Sequence, residues 1–275
     1  MARRDEAADR AHQQAEGARR QQVWDCLSRV VDPELDEPVT ELGFVSAVAI
    51  SAVGEVTIGF RLPTYWCAAN FAYLMADDMR REVGCLPWVR QVSLTLEDHM
   101  YAEQINRGMA HGLSFRATFG AEAEGEDVED IRRVFALKAF QRRQEALLRD
   151  LLEAGWQADS LLALRLGDLL ALPAEPATAA LRRRYLERRD LAGAGGPERL
   201  AFVDVQGVAI DPARLGRHLS ALRGVAVNVE FNGALCRGLL AARYGEQAPD
   251  PASIVEPGLT DFIRALPADA ASPRA

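Results

Sequence analysis

Apolar residues recur along the first third of the chain with two periods, one typical of helices and one typical of strands. Residues 23–31 carry apolar side chains three or four positions apart, as one face of an amphipathic helix does. Residues 44–62 follow as two apolar-rich runs, and the second alternates between apolar and polar positions, which predicts a β-hairpin. Residues 66–83 return to helical spacing before residues 91–97 alternate again. This order of helix, strand, strand, helix and strand predicts a two-layer α+β domain, in the broad sense α/β, over residues 23–100.

The rest of the chain is predicted to form tails, a connector and an extension. The extension contains apolar residues at helical intervals, then a glycine-rich linker, and then alternating apolar runs that predict strands at 200–205 and 225–231. The fold class is therefore an α+β domain with a helical and α/β C-terminal extension. The predicted segments are a polar tail at 1–22, an acidic connector at 101–130, a helical segment at 131–192, a small α/β segment at 197–248 and a flexible tail at 249–275.

Composition narrows the class of protein. The 275 residues are 49% hydrophobic and 26% charged, with a formal net charge of −8, which argues against a general nucleic-acid or membrane-surface binder. No apolar run approaches the ~18–20 residues that cross a bilayer, and the polar N-terminus lacks the apolar centre of a signal peptide, so we expect a cytoplasmic protein. The four cysteines form no CxxC pair, which argues against a disulfide framework or a closed zinc site.

No nucleotide-binding or hydrolase motif is found in the sequence. The preference for arginine over lysine indicates a GC-rich bacterial genome.

Cys67 is the strongest candidate for chemistry. The pattern places it in the first turn of the second predicted helix, where backbone N–H groups and the helix dipole lower the pKa of a thiol. Such a thiolate is a metal ligand or a nucleophile. The alternative is that Cys67 is a small buried hydrophobic residue, as most free cysteines are.

Residues in the neighbouring loops are candidates with structural alternatives. Asp32 and Glu34 are expected near Cys67 as metal-ligating carboxylates, because both loops flank the same hairpin. Alternatively, Asp32 caps a turn and Pro33 stops the first helix. Gly43 is interpreted as a backbone requirement, and Thr64 as a cap of the following helix.

Two histidines and a group of arginines are weaker candidates for functional roles. His99 and His111 could form a two-histidine metal site, but their spacing fits no helical ligand pair. The arginines of residues 182–189 are interpreted mainly as a solvated helix face, with docking of an acidic partner as the alternative.

The first domain resembles the iron-sulfur cluster assembly family once called domain of unknown function fifty-nine, which includes SufT-like and PaaD-like proteins. Three blocks carry the resemblance over residues 23–98: Asp32–Glu34, Glu41–Val45, and Thr64 with Cys67. The family's Pro-Gly before the cysteine is replaced by Tyr65 and Trp66, and the proline after it by Ala68. These aromatic residues crowd the approach to the thiol, which predicts a ligand or partner different from the family's usual one.

The resemblance implies an accessory factor that helps deliver iron or an iron-sulfur cluster to a client metalloprotein, possible clients including an oxygenase system. Cys67 would be the transient ligand, completed by the client or by a second copy in a homodimer, and Glu41, Thr64, Tyr65 and Trp66 are the candidate binding residues. We expect no nucleotide cofactor, because no phosphate-binding motif is found, and no enzymatic activity. Two alternatives stay open at this point. One is a non-catalytic adaptor with an inert Cys67 and an aromatic anchor at Tyr65 and Trp66. The weaker one is a thiol enzyme, for which no histidine is clearly placed as the base.

Overall fold

The computed structural model describes residues 2–123 and 128–245, with side chains from residue 14 onward. Its described residues divide into two compact units. The first unit contains residues 2–31, 38–119 and 239–245, and the second contains residues 32–37 and the described part of 120–238. The predicted flexible tail at 249–275 lies outside the described residues, as do residues 124–127 of the predicted connector.

The first unit contains the predicted helix-strand-strand-helix-strand order. Its sheet has the strand order β1-β2-β3, with β1 antiparallel to β2 and β2 parallel to β3. The helix that connects β2 to β3 packs on the sheet and buries Leu74, Met75 and Met79. These results confirm the α+β prediction for this part of the chain. The elements are α1 (Ala2–Leu27), β1 (Val45–Ile50), β2 (Glu55–Arg61), α2 (Ala69–Gly84) and β3 (Gln91–Glu97).

Two glycines are required where the sheet turns and where side chains cross it. Gly54, in the hairpin connection, has a φ of 89°, and a Cβ there would lie 2.4 Å from the Trp88 carbonyl oxygen. Gly59 lies under the hydrogen bond from Ser46 Oγ to Glu97 Oε1, and a Cβ would approach both oxygens within 2.8 Å. The polar contact between β1 and β3 therefore depends on the missing side chain in β2.

The segment predicted as a polar tail is part of α1, which extends from Ala2 to Leu27. Alanine, arginine, glutamate and glutamine have high helix propensity, and they favour helix without an apolar stripe. The end of the segment has contacts of its own, since Gln22 Oε1 accepts a hydrogen bond of 2.6 Å from Trp88 Nε1. The helix also ends at Leu27, before Asp32 and Pro33, so Pro33 is not its stop signal.

The predicted acidic connector contains helical segments in its described residues. Only its second half is strongly acidic, and its first half supplies apolar anchors such as Ile105, Phe115 and Phe119, which are buried. The connector prediction is therefore wrong for the first half of this segment. Its elements are α3 (Ala102–Ala110), α4 (Phe115–Phe119) and a 3-10 turn (Gly120–Ala123).

The second unit is helical. Its core contains Phe140, Leu147, Tyr185 and Phe202, and the Tyr185 ring stacks between the two phenylalanine rings at centroid distances of 5.7 and 5.4 Å. The helical prediction for residues 131–192 is confirmed. The helices are α5 (Val128–Glu153), α6 (Ala158–Ala163), α7 (Leu166–Ala171), α8 (Pro176–Arg189) and α9 (Leu215–Tyr244), and the last contributes residues 239–244 to the first unit.

The predicted α/β segment at 197–248 is wrong. Residues 225–231, predicted as a strand from alternating valines, lie inside the 30-residue helix α9. Residues 200–205 form isolated bridges, Arg165 with Leu200 and Val203 with Ala209, rather than a strand. The alternating pattern failed because valine disfavours a helix only weakly, and the leucine, alanine and arginine residues around it in α9 favour one.

Candidate functional site

Cys67 lies in the loop between β2 and α2, and its side chain is partly exposed. It does not lie in the first turn of α2 as predicted, because the helix begins at Ala69 and Ala68 is its N-cap residue. The Cys67 N–H donates to the Thr64 carbonyl oxygen at 3.4 Å, which closes a tight turn. The predicted capping role of Thr64 is also wrong, since α2 has no side-chain hydrogen bond at its N-cap.

His99 anchors the backbone of the Cys67 loop. Its Nε2 lies 2.8 Å from the Cys67 carbonyl oxygen, and the Tyr101 N–H donates to its Nδ1 at 3.2 Å. A carbonyl oxygen only accepts, so Nε2 carries the proton and Nδ1 is unprotonated, which makes the ring neutral. Burial lowers the pKa of His99, consistent with this neutral form. Both ring nitrogens are therefore engaged, and His99 forms no metal site with the exposed His111.

The end of α9 binds both the Cys67 loop, which follows β2, and the loop with His99, which follows β3. The Arg243 guanidinium donates to the carbonyl oxygens of Leu62, at 3.4 Å, and Asp98, at 2.9 Å, and pairs with the Asp98 carboxylate at 2.5 Å. The Tyr244 hydroxyl also bonds to Asp98 Oδ2 at 3.1 Å, and its ring packs under the Arg61 guanidinium. Burial and the bond to Asp98 raise the pKa of Tyr244 to about 12, so this hydroxyl stays a donor.

Three large apolar side chains are exposed in the Cys67 loop and in the loop after β3. Trp66 is 72% exposed, and Tyr65 and Met100 are about half exposed. Tyr65 and Met100 belong to the two anchored loops, and the Met100 N–H donates to the Tyr65 carbonyl oxygen at 2.9 Å. Exposed apolar residues that are contiguous, rather than scattered, are typical of interaction surfaces.

The other cysteines differ from Cys67 in place and environment. Cys26 is buried, Cys85 is exposed at the end of α2, and Cys236 is partly buried in α9. Across residues 2–123 and 128–245, no three side chains of His, Cys, Asp or Glu are grouped so that they could hold a metal ion. Ligands from this part of the chain therefore do not enclose a metal or a cluster.

The predicted carboxylate ligands occupy a turn in the second unit. Asp32 is buried, and its Oδ1 accepts hydrogen bonds of 2.9 and 2.8 Å from the N–H groups of Glu34 and Leu35. Asp32 therefore caps a turn, as its structural alternative predicted. Burial raises the pKa of Asp32 to about 6. The Glu34 carboxylate accepts a bond of 3.0 Å from the Asn232 amide.

Buried ion pairs hold the turn around Asp36. Asp36 is 3% exposed and has a φ of 53°, a conformation that aspartate tolerates better than most residues. The Arg143 guanidinium binds both of its carboxylate oxygens, at 2.7 and 2.8 Å, and also binds Glu187. Arg184 adds a bond to the Asp36 carbonyl oxygen. This turn is therefore a structural element stabilised by α5 and α8.

The thiol beside this turn in the second unit is Cys236. Burial and then the negative charges of Asp32 and Glu34 raise its pKa, so Cys236 stays a protonated thiol at neutral pH. Asp32 and Glu34 belong to the second unit and Cys67 to the first. The expectation that these carboxylates assist Cys67 stays a prediction.

The remaining candidates have simpler positions. Gly43 has a φ of 71°, which confirms the predicted backbone requirement. Glu41 is exposed in the turn before β1.

Arginines on α8 bind backbone carbonyl groups of the second unit. Arg189 is buried and donates to the carbonyl oxygens of Leu200 and Ala201, and Arg182 donates to those of Leu169 and Leu172. The interpretation of residues 182–189 as a mainly solvated face is therefore wrong for these positions.

Sequence reasoning missed the roles of His99 and Arg243. The only local signal was the Asp98-His99 pair at the end of a predicted strand, which indicates a polar loop without naming its partner. Arg243 is 145 residues away from Asp98 in sequence, so no local pattern connects them.

Comparison with known proteins supports the resemblance in the N-terminal segment. Residues 20–94 match the family model described as Iron-sulfur cluster assembly protein, which confirms the family prediction for this segment and associates it with iron-sulfur cluster assembly in general. The match covers about a quarter of the chain. No curated protein and no solved structure matches the chain. Within the described residues, no helix has the length and apolar character that a membrane span needs.

Proposed function

We propose that the protein is an accessory factor in iron-sulfur cluster assembly and that Cys67 is the ligand that transiently holds iron or a cluster for a client. The observation that carries this proposal is a partly exposed thiol in an anchored loop, inside the segment that matches the assembly family. Iron or the cluster is cargo in this function. The chain's own task is to present the thiol and release the cargo.

A single thiol suits transfer better than storage. Thiolates bind iron as soft ligands, and a closed set of four would retain the metal. Because the described residues offer no group of three metal ligands, the remaining ligands would come from the client or from a second copy of the chain. Binding at Cys67 would then be weaker than in a closed set of four cysteines, which favours release to a client.

The surface around Cys67 supports recognition of a client protein. Exposed aromatic residues are common anchors of protein interfaces, and Trp66 and Tyr65 adjoin the thiol in the chain. A client that covers these rings would exclude water from the thiol at the moment of transfer. The finer assignment to a SufT-like or PaaD-like factor with an oxygenase client rests on the resemblance of the sequence motifs. The expected bacterial cytoplasm rests on the composition and hydropathy of the sequence.

Cluster transfer to an acceptor tests this proposal. The full chain is reconstituted anaerobically with iron and sulfide, and transfer to an apo-ferredoxin is followed by the acceptor's visible circular dichroism. We expect Cys67→Ser to abolish chain-dependent transfer and Cys85→Ser, which changes an exposed cysteine of the same unit, to preserve it. Equal transfer by both variants would reject the proposal.

The adaptor alternative has one observation in its favour, the 72% exposure of Trp66 beside the thiol. In that function the chain would bring proteins together, and Cys67 would be inert. Client maturation in the presence of Cys67→Ser distinguishes the two, because an adaptor would support it as well as the unaltered chain does, whereas a cluster carrier would not.

A further inference from the structure

A groove of about 530 Å³ lies along the outer edge of β3 in the first unit. Its floor is formed by the first half of the strand, including Val92 and Leu94, and its walls by the ends of α2 and α3, including Gly84 and Met109. Arg80 and Arg90 also line it. The groove therefore combines a strand edge, walls of mixed character and two cations.

The second half of the β3 edge is closed by a side chain. The Leu96 N–H donates to Asn106 Oδ1 at 2.7 Å, and Asn106 Nδ2 donates to the Leu96 carbonyl oxygen at 3.1 Å. The amide of Asn106 thus imitates a neighbouring strand at this one residue. It also shows that the main-chain groups of Leu96 point away from β2.

The first half of the edge has main-chain groups available for pairing. Residues two apart in a strand direct their N–H and C=O groups to the same side, so those of Val92 and Leu94 also point away from β2. Among the described residues, no turn, loop or side chain bonds to them. An edge of this kind is a template for an additional strand.

The charges of the groove select the strand that fits. The Nε of Arg80 is buried without a hydrogen-bond partner, and one of its terminal nitrogens pairs with Asp77. Arg90 is exposed and pairs with no acid of the described residues. No acidic residue lines the groove. A second copy paired edge to edge would bring the same arginines from both chains together, so charge favours a foreign acidic segment.

We propose that the edge of β3 at Val92 and Leu94 binds an extended acidic peptide segment of a partner protein as an added strand, with Arg80 and Arg90 pairing with its carboxylates. Main-chain hydrogen bonds would supply affinity, and the arginines would supply the preference for acids. This site goes beyond the proposed function, and its occupation requires no iron.

Peptide binding to the full chain tests the proposal. The probe is a fluorescein-labelled seven-residue peptide of alternating valine and glutamate, and binding is followed by fluorescence anisotropy without metal. We expect saturable binding that weakens at least tenfold when alternate peptide nitrogens are methylated, because methylation removes the strand's donors. Replacing the glutamates by lysines should have the same effect.

Matched charge changes locate the site. Arg90→Glu should weaken binding at least tenfold, whereas Arg116→Glu, the same change at an exposed position outside the groove, should change it less than twofold. Circular dichroism confirms that both variants are folded. Absence of binding, equal binding of the methylated peptide, or a dimer in sedimentation that Arg90→Glu dissociates would each overturn the proposal. Because the assay contains no iron, its failure leaves the role of Cys67 untouched.

Discussion

The Cys67 loop and the turn at residues 32–37 both carry sequence motifs of the same family, yet their environments are opposite. The Cys67 loop keeps its side chains toward solvent and is held by hydrogen bonds to its backbone, from His99 and Arg243. The turn at residues 32–37 has buried carboxylates held by arginine side chains and backbone N–H groups. Resemblance to a family motif therefore does not by itself distinguish a partly exposed side chain from a buried one.

The difference follows from which groups of each loop are hydrogen-bonded, the backbone in one and the side chains in the other. Anchoring by the backbone leaves the Cys67 side chain partly exposed. Anchoring by the side chain uses the carboxylate of Asp36 completely, because Arg143 occupies both oxygens. Loss of the Asp36 charge should therefore disturb the turn at residues 32–37 more than any other change to it.

Asp36→Asn should cause the largest loss of stability. Asparagine tolerates the left-handed backbone at this position, so the loss reports on the charge removed from a buried ion pair, and we expect about 3 kcal/mol. Urea unfolding followed by circular dichroism measures it. Glu187→Gln removes the other acid bound to Arg143, whose side chain is 53% exposed, and should cost under about 1 kcal/mol. Equal effects of the two changes would show that the turn is not held by its buried charge.

Asp32→Asn should stabilise the protein at neutral pH. The folded-state pKa of Asp32 is raised from 3.8 to about 6, so its stabilising protonation is complete below pH 3.8 and is lost as pH rises through 6. Above that pH, the buried charge costs about 3 kcal/mol, which the isosteric amide avoids while keeping the turn's acceptor. Urea unfolding of both proteins between pH 4 and pH 8 measures the gain.

The control for this titration is Glu41→Gln, which removes one negative charge from an exposed side chain in the following loop. The predicted gain of Asp32→Asn should appear at pH 8 and vanish near pH 4. A destabilised Asp32→Asn protein at pH 8 would mean that the carboxylate charge itself holds the turn.

His99→Ala should loosen the Cys67 loop with a smaller effect on stability. The variant leaves the Cys67 carbonyl oxygen without its donor, and we expect a loss of about 1–2 kcal/mol. Cys67 should also react several times faster with iodoacetamide, measured by mass spectrometry of its peptide. His111→Ala changes an exposed histidine and should alter neither quantity. An unchanged alkylation rate in His99→Ala would show that this histidine does not position the loop.

Trp66→Ser should have the smallest effect on stability and a clear effect on function. The side chain is 72% exposed, so we expect the free energy of unfolding to change by less than about 0.5 kcal/mol. Cluster transfer to the acceptor should nevertheless fall severalfold if the ring contacts the client. Leu191→Ser, at an exposed apolar residue of the second unit, is the matched control. Transfer that is insensitive to Trp66→Ser would show that this ring does not take part in recognising the client.

The N-terminal fold could be predicted from sequence because its signals are local. Alternation in residues 55–62 and helical spacing in residues 66–83 each reflect which side of one element is buried, and both elements are present within a few residues of the predicted bounds. Gly43 was predicted for the same reason, since a positive φ is a requirement of one residue. Local patterns failed at residues 225–231, where alternating valines lie within a long helix.

The anchors of both loops could not be predicted because they join distant residues. Arg143 is 107 residues from Asp36, and Arg243 is 145 residues from Asp98. Arginine-rich helices look solvated in a sequence, since the pattern does not show which guanidinium groups find carbonyl or carboxylate partners. His99 binds the backbone carbonyl oxygen of Cys67, and every residue has such an oxygen. The identity of residue 67 therefore does not indicate this hydrogen bond.

Measuring whether iron binds at Cys67 is the most direct test of whether the Cys67 loop, rather than the turn at residues 32–37, carries the functional site. Anaerobic reconstitution with iron and sulfide, followed by visible absorption and iron content per chain, compares the unaltered protein with Cys67→Ser, Cys85→Ser and Cys236→Ser. We expect a sulfide-to-iron absorption band that disappears only with Cys67→Ser. A band that survives Cys67→Ser, or that depends on Cys236 beside the acidic turn, would contradict the assignment of the site to the Cys67 loop.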